Sequence, residues 1–382
     1  MSVFKQFLAF FLAFLMIFPL FSLNIVAKSD GIGKISAQSA ILIEAESGKV
    51  LYSKNAEKRM PMASTTKIMT AILAIECGIS LDTVIKIPKD AVGIEGSSIY
   101  LKEGEEISFE SLIYGLLLCS ANDAAVALAI TVGGSLVHFV DLMNQKAASL
   151  GLCNTHFENP HGLHDENHFT TAHDLALLMA YCVKNPIFLN ISGCEKKIFA
   201  SSDNMSRVMI NHNRLLRSYS GVIAGKTGYT KASGRCLVSC AERDGLRLIA
   251  VTLNAPNDWQ DHTNLFDFGF ESYRIIRLDC VYITLPVASG SKNELVASAD
   301  GTSLFLPKSS EEISVQINAP RFVFAPVNKG DKVGEVVYKC QGKTILTLPL
   351  LATETIMAKK YKFNPFSYLI DLIKGFFTKW KK

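Results

Sequence analysis

Three short groupings bring together the residue types that nucleophilic catalysis needs: Ser64-Thr65-Thr66-Lys67, Ser120-Ala121-Asn122 and Lys226-Thr227-Gly228. A serine hydroxyl attacks poorly until a base takes its proton, and a lysine can be that base only as the neutral amine. Lys67 lies three residues after Ser64, on the same helical face. Partial burial and a second cation nearby, for which Lys226 is the candidate, both lower a lysine pKa. Singly the groupings carry little. Ser-x-x-Lys recurs at Ser2/Lys5 and Ser289/Lys292, and Ser-x-Asn at Ser22/Asn24, Ser53/Asn55, Ser202/Asn204 and Ser291/Asn293.

The elements that must position these residues separate the first set from its repeats. Ser64 stands between a loop containing Pro61 and the apolar run Ile68-Met69-Thr70-Ala71-Ile72-Leu73. It is therefore expected at a helix N-terminus, where backbone N–H groups favour developing negative charge. Ser120 and Asn122 interrupt two apolar stretches, and polar groups set there need partners or a task. The Ser120 hydroxyl can pass a proton to a leaving amine, and the Asn122 amide can hold a substrate amide. Ser202-Asp203-Asn204, by contrast, falls in a polar stretch and reads as a surface turn.

Lys226-Thr227-Gly228 is expected just before a strand region near Gly234. There, on an exposed strand, Lys226 and Thr227 would bind a terminal carboxylate, and Gly228 would let a peptide lie alongside. The backbone N–H groups of Ser64 and Tyr229 would complete an oxyanion hole. Arg247 is a further candidate for carboxylate recognition, with a solvated strand position as the alternative.

The wider chain has material for one large and one small domain, with 382 residues and 49% hydrophobic content. Its 39 basic and 35 acidic residues give a net charge of +4 without a basic tract through the body, so nucleic-acid binding has no electrostatic footprint. Residues 40–44 and 49–52 flank a glycine turn and predict a β-hairpin. Helical patterns follow from Ser64, over 110–131, over 136–149 and from Thr171. Strand patterns return over 234–240 and 246–253. That order predicts an α+β domain with helices against an antiparallel sheet. Short alternating runs at 281–285, 313–317, 322–324 and 333–338 then predict a small all-β, sandwich-like domain, with the boundary near Ile275 to Cys280.

Both termini address a membrane. The apolar run over residues 7–27 suits a signal peptide ending at Ala27, or else an uncleaved membrane helix. Either places the chain beyond Lys28 outside the cytoplasm. Near the C-terminus, Phe363, Phe366, Ile370, Ile373, Phe377 and Trp380 follow 3-4-3-4-3 spacing, with Asn364 and Pro365 as cap and first position. Lysines 359, 360, 362, 374, 379, 381 and 382 crowd this stretch. The pattern predicts an amphipathic helix lying on an anionic membrane surface, packing on the protein's own core being the alternative. The expected organisation is a signal at 1–27, a catalytic domain at 28–277, an all-β domain at 278–353 and the amphipathic segment at 354–382. Nine cysteines lack C-x-x-C pairs; most read as small buried hydrophobes, with a disulfide left open.

The ordered triple resembles the active-site serine penicillin-binding proteins and β-lactamases. The resemblance is closer to low-molecular-mass D-alanyl-D-alanine carboxypeptidases, over residues 35–350. It is carried by Met60-Pro61-Met62-Ala63-Ser64-Thr65-Thr66-Lys67-Ile68-Met69-Thr70, Asn122-Asp123-Ala124-Ala125, Asn159-Pro160-His161-Gly162-Leu163, Thr171-Ala172-His173-Asp174-Leu175-Ala176 and Gly225-Lys226-Thr227-Gly228-Tyr229-Thr230. The resemblance implies a penicillin-binding/β-lactamase-like transpeptidase fold, a β-rich C-terminal domain and a terminal amphipathic anchor. The implied substrate is a peptidoglycan stem peptide ending in D-Ala-D-Ala. Ser64 would attack, Lys67 would act as base, water would release the acyl group, and β-lactam antibiotics would acylate Ser64. It implies no cofactor or metal, and a place on the outer face of the cytoplasmic membrane.

Other readings remain open at this point. A DD-transpeptidase of the same fold would pass the acyl group to an amine. A β-lactamase would need a glutamate in a Glu-x-x-Leu-Asn context, whereas Glu166 precedes Asn167-His168-Phe169-Thr170. A metallopeptidase could draw on His156, His161, His164, His168 and His173, although Pro160, Gly162 and Asn167 argue for a loop there. A non-enzymatic cell-wall binding protein would leave three intact groupings unexplained.

Overall fold

The computed structural model describes residues 32–200, 206–359 and 370. The apolar leader, the Ser202-Asp203-Asn204 turn and the amphipathic spacing over 363–380 lie outside these residues, Ile370 apart. Two compact units divide the chain at Phe270/Glu271. That point precedes the change of sequence texture by a few residues, because Tyr273–Leu278 is already a strand paired within the second unit.

In chain order the first unit contains β1 (Ser39–Glu44), β2 (Val50–Lys54), α1 (Lys67–Glu76), β3 (Val84–Lys86), β4 (Glu106–Ser108), α2 (Phe109–Leu118) and α3 (Asn122–Gly133). Then follow α4 (Leu136–Ser149), α5 (Ala172–Cys182), α6 (Pro186–Ser192), β5 (Lys196–Ala200), β6 (Ser206–Ile210), α7 (Leu215–Ser218), β7 (Val222–Thr230), β8 (Gly234–Arg243), β9 (Leu246–Leu253) and α8 (Asp258–Ser272), whose last two residues fall past the division. The predicted hairpin is β1–β2, with Gly48 at φ +68° in its turn, a conformation glycine adopts without a Cβ penalty. The sheet runs β2-β1-β9-β8-β7, antiparallel throughout, which leaves β7 on an edge.

Burial follows from composition. β1 reads Ser-Ala-Ile-Leu-Ile-Glu and is buried along its whole length. Nine of the ten residues of α2 and the first eight of α3 are buried as well. The sequence predicted one helical stretch over 110–131. The chain instead breaks between α2 and α3, where Ser120 takes φ +58°. Thr171 and Ser135 cap α5 and α4 by accepting the N–H of Asp174 and His138, so those starts are set by local hydrogen bonding.

The second unit contains β10 (Tyr273–Leu278), β11 (Val281–Ala288), β12 (Glu294–Ala299), β13 (Thr302–Pro307), β14 (Ile313–Asn318), β15 (Val323–Phe324), β16 (Lys332–Cys340) and β17 (Lys343–Ala352). β10 and β13 form a two-stranded ribbon. The rest make a six-stranded sheet ordered β14-β16-β17-β12-β11-β15. Its apolar core has two clusters, one around Leu295 and Ile356, the other around Ala297, Val336 and Leu350. All nine cysteines are free thiols.

Candidate active site

Ser64 lies in a 3-10 turn, Ala63–Thr66, that leads directly into α1. Two threonine hydroxyls shape the turn: Thr65 Oγ1 donates to Met62 O at 2.7 Å and Thr66 Oγ1 to Ala63 O at 2.8 Å. Ala63 holds φ +47°, a left-handed conformation that costs an alanine free energy and that packing must impose. Lys67 opens α1 and is fully buried. Its Nζ donates to Ser64 Oγ at 2.9 Å, to Asn122 Oδ1 at 2.7 Å and to His161 O at 2.6 Å. Burial and the charge of Lys226 together hold the amine well below its usual range, against a smaller opposing pull from Asp123.

Asn122 was expected to hold a substrate amide. Its amide is committed inward: Oδ1 accepts from Lys67, and Nδ2 donates to Glu95 O. Asp123 fixes the adjoining loop, its carboxylate accepting the N–H groups of Ile99 and Leu101 and the hydroxyl of Ser98. Ser120, in its left-handed position, turns its hydroxyl to Lys226 Nζ at 3.0 Å.

Lys226, Thr227 and Gly228 lie within the edge strand β7, four residues or more inside its start, and so ahead of β8, which begins at Gly234 as expected. Lys226 is 1% exposed, not solvent-facing; its Nζ also donates to Thr227 O at 2.8 Å. Desolvation lowers its pKa to about 7. A Cβ on Gly228 would stand 3.0 Å from Ser64 N and 3.2 Å from Met62 O. Glycine there lets β7 approach the nucleophile turn. Thr227 is half-buried, and Tyr229 is 67% exposed.

Arg247 is not part of this gathering. It is the second residue of β9, where it pairs with Glu242 at 2.7 Å and donates to Val183 O. In register Lys226 faces Val238, which faces Val251, four strand residues or ~13 Å beyond Arg247. The carboxylate role expected of Arg247 is therefore withdrawn.

A loop over residues 156–168 closes the site from the other side, and sequence reasoning had not given it a role there. It supplies His161 O to Lys67, and Pro160 O accepts from Thr70 Oγ1 at 2.6 Å. Gly162 is required at φ +91°, since a Cβ would fall 2.0 Å from Ala63 O. Because Thr66 Oγ1 spends its proton on Ala63 O, it accepts from His168 Nε2 at 2.7 Å. His168 Nδ1 in turn accepts the N–H of Glu158 at 2.9 Å, which defines the neutral tautomer. Burial pushes His168 down to about 4 and His161 to about 3. The five histidines do not converge: His173 pairs with Glu57, His156 with Asn167 O, and among the described residues no three metal-ligating side chains come together. Glu166 is exposed and makes none of these contacts. The Asn159–Leu163 stretch was the available signal for this loop.

The arrangement can deprotonate a serine, bring the Gly228 backbone up against the nucleophile turn, and place a second hydroxyl against a buried lysine. Comparison with known proteins gives that chemistry a context. The family profile described as D-alanyl-D-alanine carboxypeptidase matches residues 25–257, and that described as Penicillin-binding protein 5, C-terminal domain, matches residues 270–358. The D-alanyl-D-alanine carboxypeptidase DacF of Bacillus subtilis is 32% identical over 358 residues, covering 90% of this chain and 91% of the relative. DacA of Escherichia coli is 32% identical over 379 residues, covering 94% and 92%. Penicillin binding protein 5 from Haemophilus influenzae superposes with a TM-score of 0.69 at 28% identity, over 85% of this chain and 98% of that one.

Proposed function

The chain belongs to the D-alanyl-D-alanine carboxypeptidase family, and from that membership and the site's geometry we infer which groups carry its reaction. It is a serine-type carboxypeptidase that hydrolyses the D-Ala-D-Ala end of peptidoglycan peptides, in a penicillin-binding family. In our proposal Ser64 is the nucleophile and Lys67 the base. The observation that carries this is the Lys67 hydrogen-bond set. Asn122 Oδ1 and His161 O can only accept, so a neutral amine keeps its two hydrogens on them and turns its lone pair to Ser64. The Ser64 proton then has one destination.

Attack of Ser64 Oγ on the carbonyl between the two alanines forms the C–O bond while Lys67 takes the proton. The backbone N–H groups of Ser64 and Tyr229 receive the oxyanion, and the missing side chain at Gly228, where a Cβ would stand 3.0 Å from Ser64 N, lets β7 come this close to the nucleophile turn. Collapse breaks the C–N bond. Ser120, held by Lys226, relays the proton that Lys67 took on to the departing D-alanine amine, which leaves Ser120 a hydroxyl and Lys67 neutral again. Thr227 and the Lys226 charge receive the terminal carboxylate. Water then repeats the sequence on the ester with Lys67 again as base.

We further propose that residues 1–27 export the chain and that the lysine-rich segment from 360 rests on the outer face of the cytoplasmic membrane. Its 3-4 apolar spacing and its crowd of lysines support this. The test of the catalytic reading is release of D-alanine from a peptide ending in D-Ala-D-Ala. Lys67→Ala should lower kcat/KM about 10³-fold or more, in line with the upper range for a positioned base. A loss below tenfold would remove Lys67 from that role.

A further inference from the structure

Among the described residues, the second unit carries an exposed apolar patch. Phe322, Phe324 and Met357 are 48%, 69% and 62% exposed, and the two phenylalanine rings stand edge to face with centroids 5.2 Å apart. Backbone pairing gathers these residues where the described chain ends. Phe324 pairs with Ala288 at the end of β11, and Ala325 N donates to Ala288 O at 3.0 Å. The turn after β11 holds the C-terminal segment: Ser291 N donates to Met357 O at 2.8 Å, and Lys359 N to Ser289 O at 2.7 Å. Lys359 thus leaves the sheet beside the residue next to Phe324's partner.

Chain length limits where the tail can go. Asn364, where the sequence sets the helix cap, is five residues beyond Lys359, and five extended residues span at most ~18 Å. An amphipathic segment lying in a bilayer interface must therefore keep this edge of the unit close to the headgroups. The charge has the matching sign. Arg321 adjoins the patch, Lys359, Lys360 and Lys362 come after it, and Glu354 in the same segment is ion-paired with Lys292. Clustered cations of this kind favour an anionic leaflet. Single weak anchors give marginal, reversible attachment, so a second contact has a physical use.

We infer that this edge of the second unit is itself a membrane-contact face, with Phe322, Phe324 and Met357 entering the interface of an anionic bilayer beside the tail. The inference rests on the tail reading given above. It is tested by co-sedimentation of the full chain with mixed phosphatidylglycerol and phosphatidylcholine vesicles. Wild type, Phe322→Ser/Phe324→Ser, Met357→Ser and the tail variant Phe366→Ser/Phe377→Ser are compared, each checked for folding by penicillin labelling. Losing two half-exposed phenylalanines should reduce vesicle partitioning about tenfold, and Met357→Ser several-fold. If both face variants partition as wild type while the tail variant does not, the patch is no membrane contact and the tail reading survives. If the wild type does not bind, or the tail variant binds equally well, the tail reading falls and this inference loses its basis. A patch-dependent dimer in vesicle-free solution would also overturn it, by assigning the face to a second copy of the chain.

Discussion

Of the three groups around the Lys67 amine only Ser64 can give up a proton, so the environment that buries the lysine also aims it. Lys226 adds a charge that depends on pH. With its pKa lowered to about 7, it is cationic below that value and neutral above it, and a cation is what a substrate carboxylate seeks. The non-covalent affinity for a penicillin should therefore weaken by about tenfold between pH 6 and pH 9, a loss of roughly one charge-assisted contact. Stopped-flow acylation, which separates binding from the chemical step, would show this; a flat affinity profile would count against Lys226 in carboxylate recognition. Arg247→Gln, remote from the site, should leave the acylation rate within about twofold, as expected of a surface change away from the reacting groups. The Ser64/Lys67 spacing was legible because i and i+3 share a helical face. The burial of Lys226 was not, since exposure of an edge strand depends on what packs against it. Nor was the left-handed backbone of Ala63 and Ser120, residue types that give no local sign of it.

Among elements, the loop over 156–168 is the one that sequence patterning understated. Helices and strands announce themselves by period, whereas this segment is irregular and its importance lies in backbone groups: His161 O on Lys67, Pro160 O on Thr70, and Gly162 against Ala63. At Gly162 a methyl group would meet both a φ of +91° and a carbonyl oxygen 2.0 Å away. Gly162→Ala should cost about 2–4 kcal/mol of stability, combining backbone strain with a steric clash. Urea unfolding measures it, and a loss under about 0.5 kcal/mol, the range of neutral surface changes, would show that the loop can move away. The β1–β2 hairpin and the strands β8 and β9 were legible from alternation and turn glycines. The break between α2 and α3 was not, because apolar periodicity continues through Cys119.

At the scale of the whole molecule, the first unit folds around neutral imidazoles. Burial holds His161 near 3, His168 near 4 and His262 near 3. Their unfolded pKa is about 6.5, so below that value the unfolded chain binds more protons than the folded one, and stability falls as the pH falls. Each contributes a loss on the order of 2 kcal/mol by pH 5. Thermal unfolding midpoints should drop steadily from pH 6.5 to pH 4; a constant midpoint would mean these rings charge without penalty. The order of strands, helices and strands, then an all-β unit, was readable from the chain because each segment keeps its own periodicity. The second unit's sheet order was not, since pairing of β14 with β16 and β12 with β17 joins strands distant in sequence. What binds site and fold together is acylation at one residue. Peptide mapping by mass spectrometry after penicillin treatment should find the adduct on the peptide containing Ser64, and Ser64→Ala should take up no label; a covalent adduct that persists in Ser64→Ala, or maps to another serine in the wild type, would contradict Ser64 as the nucleophile.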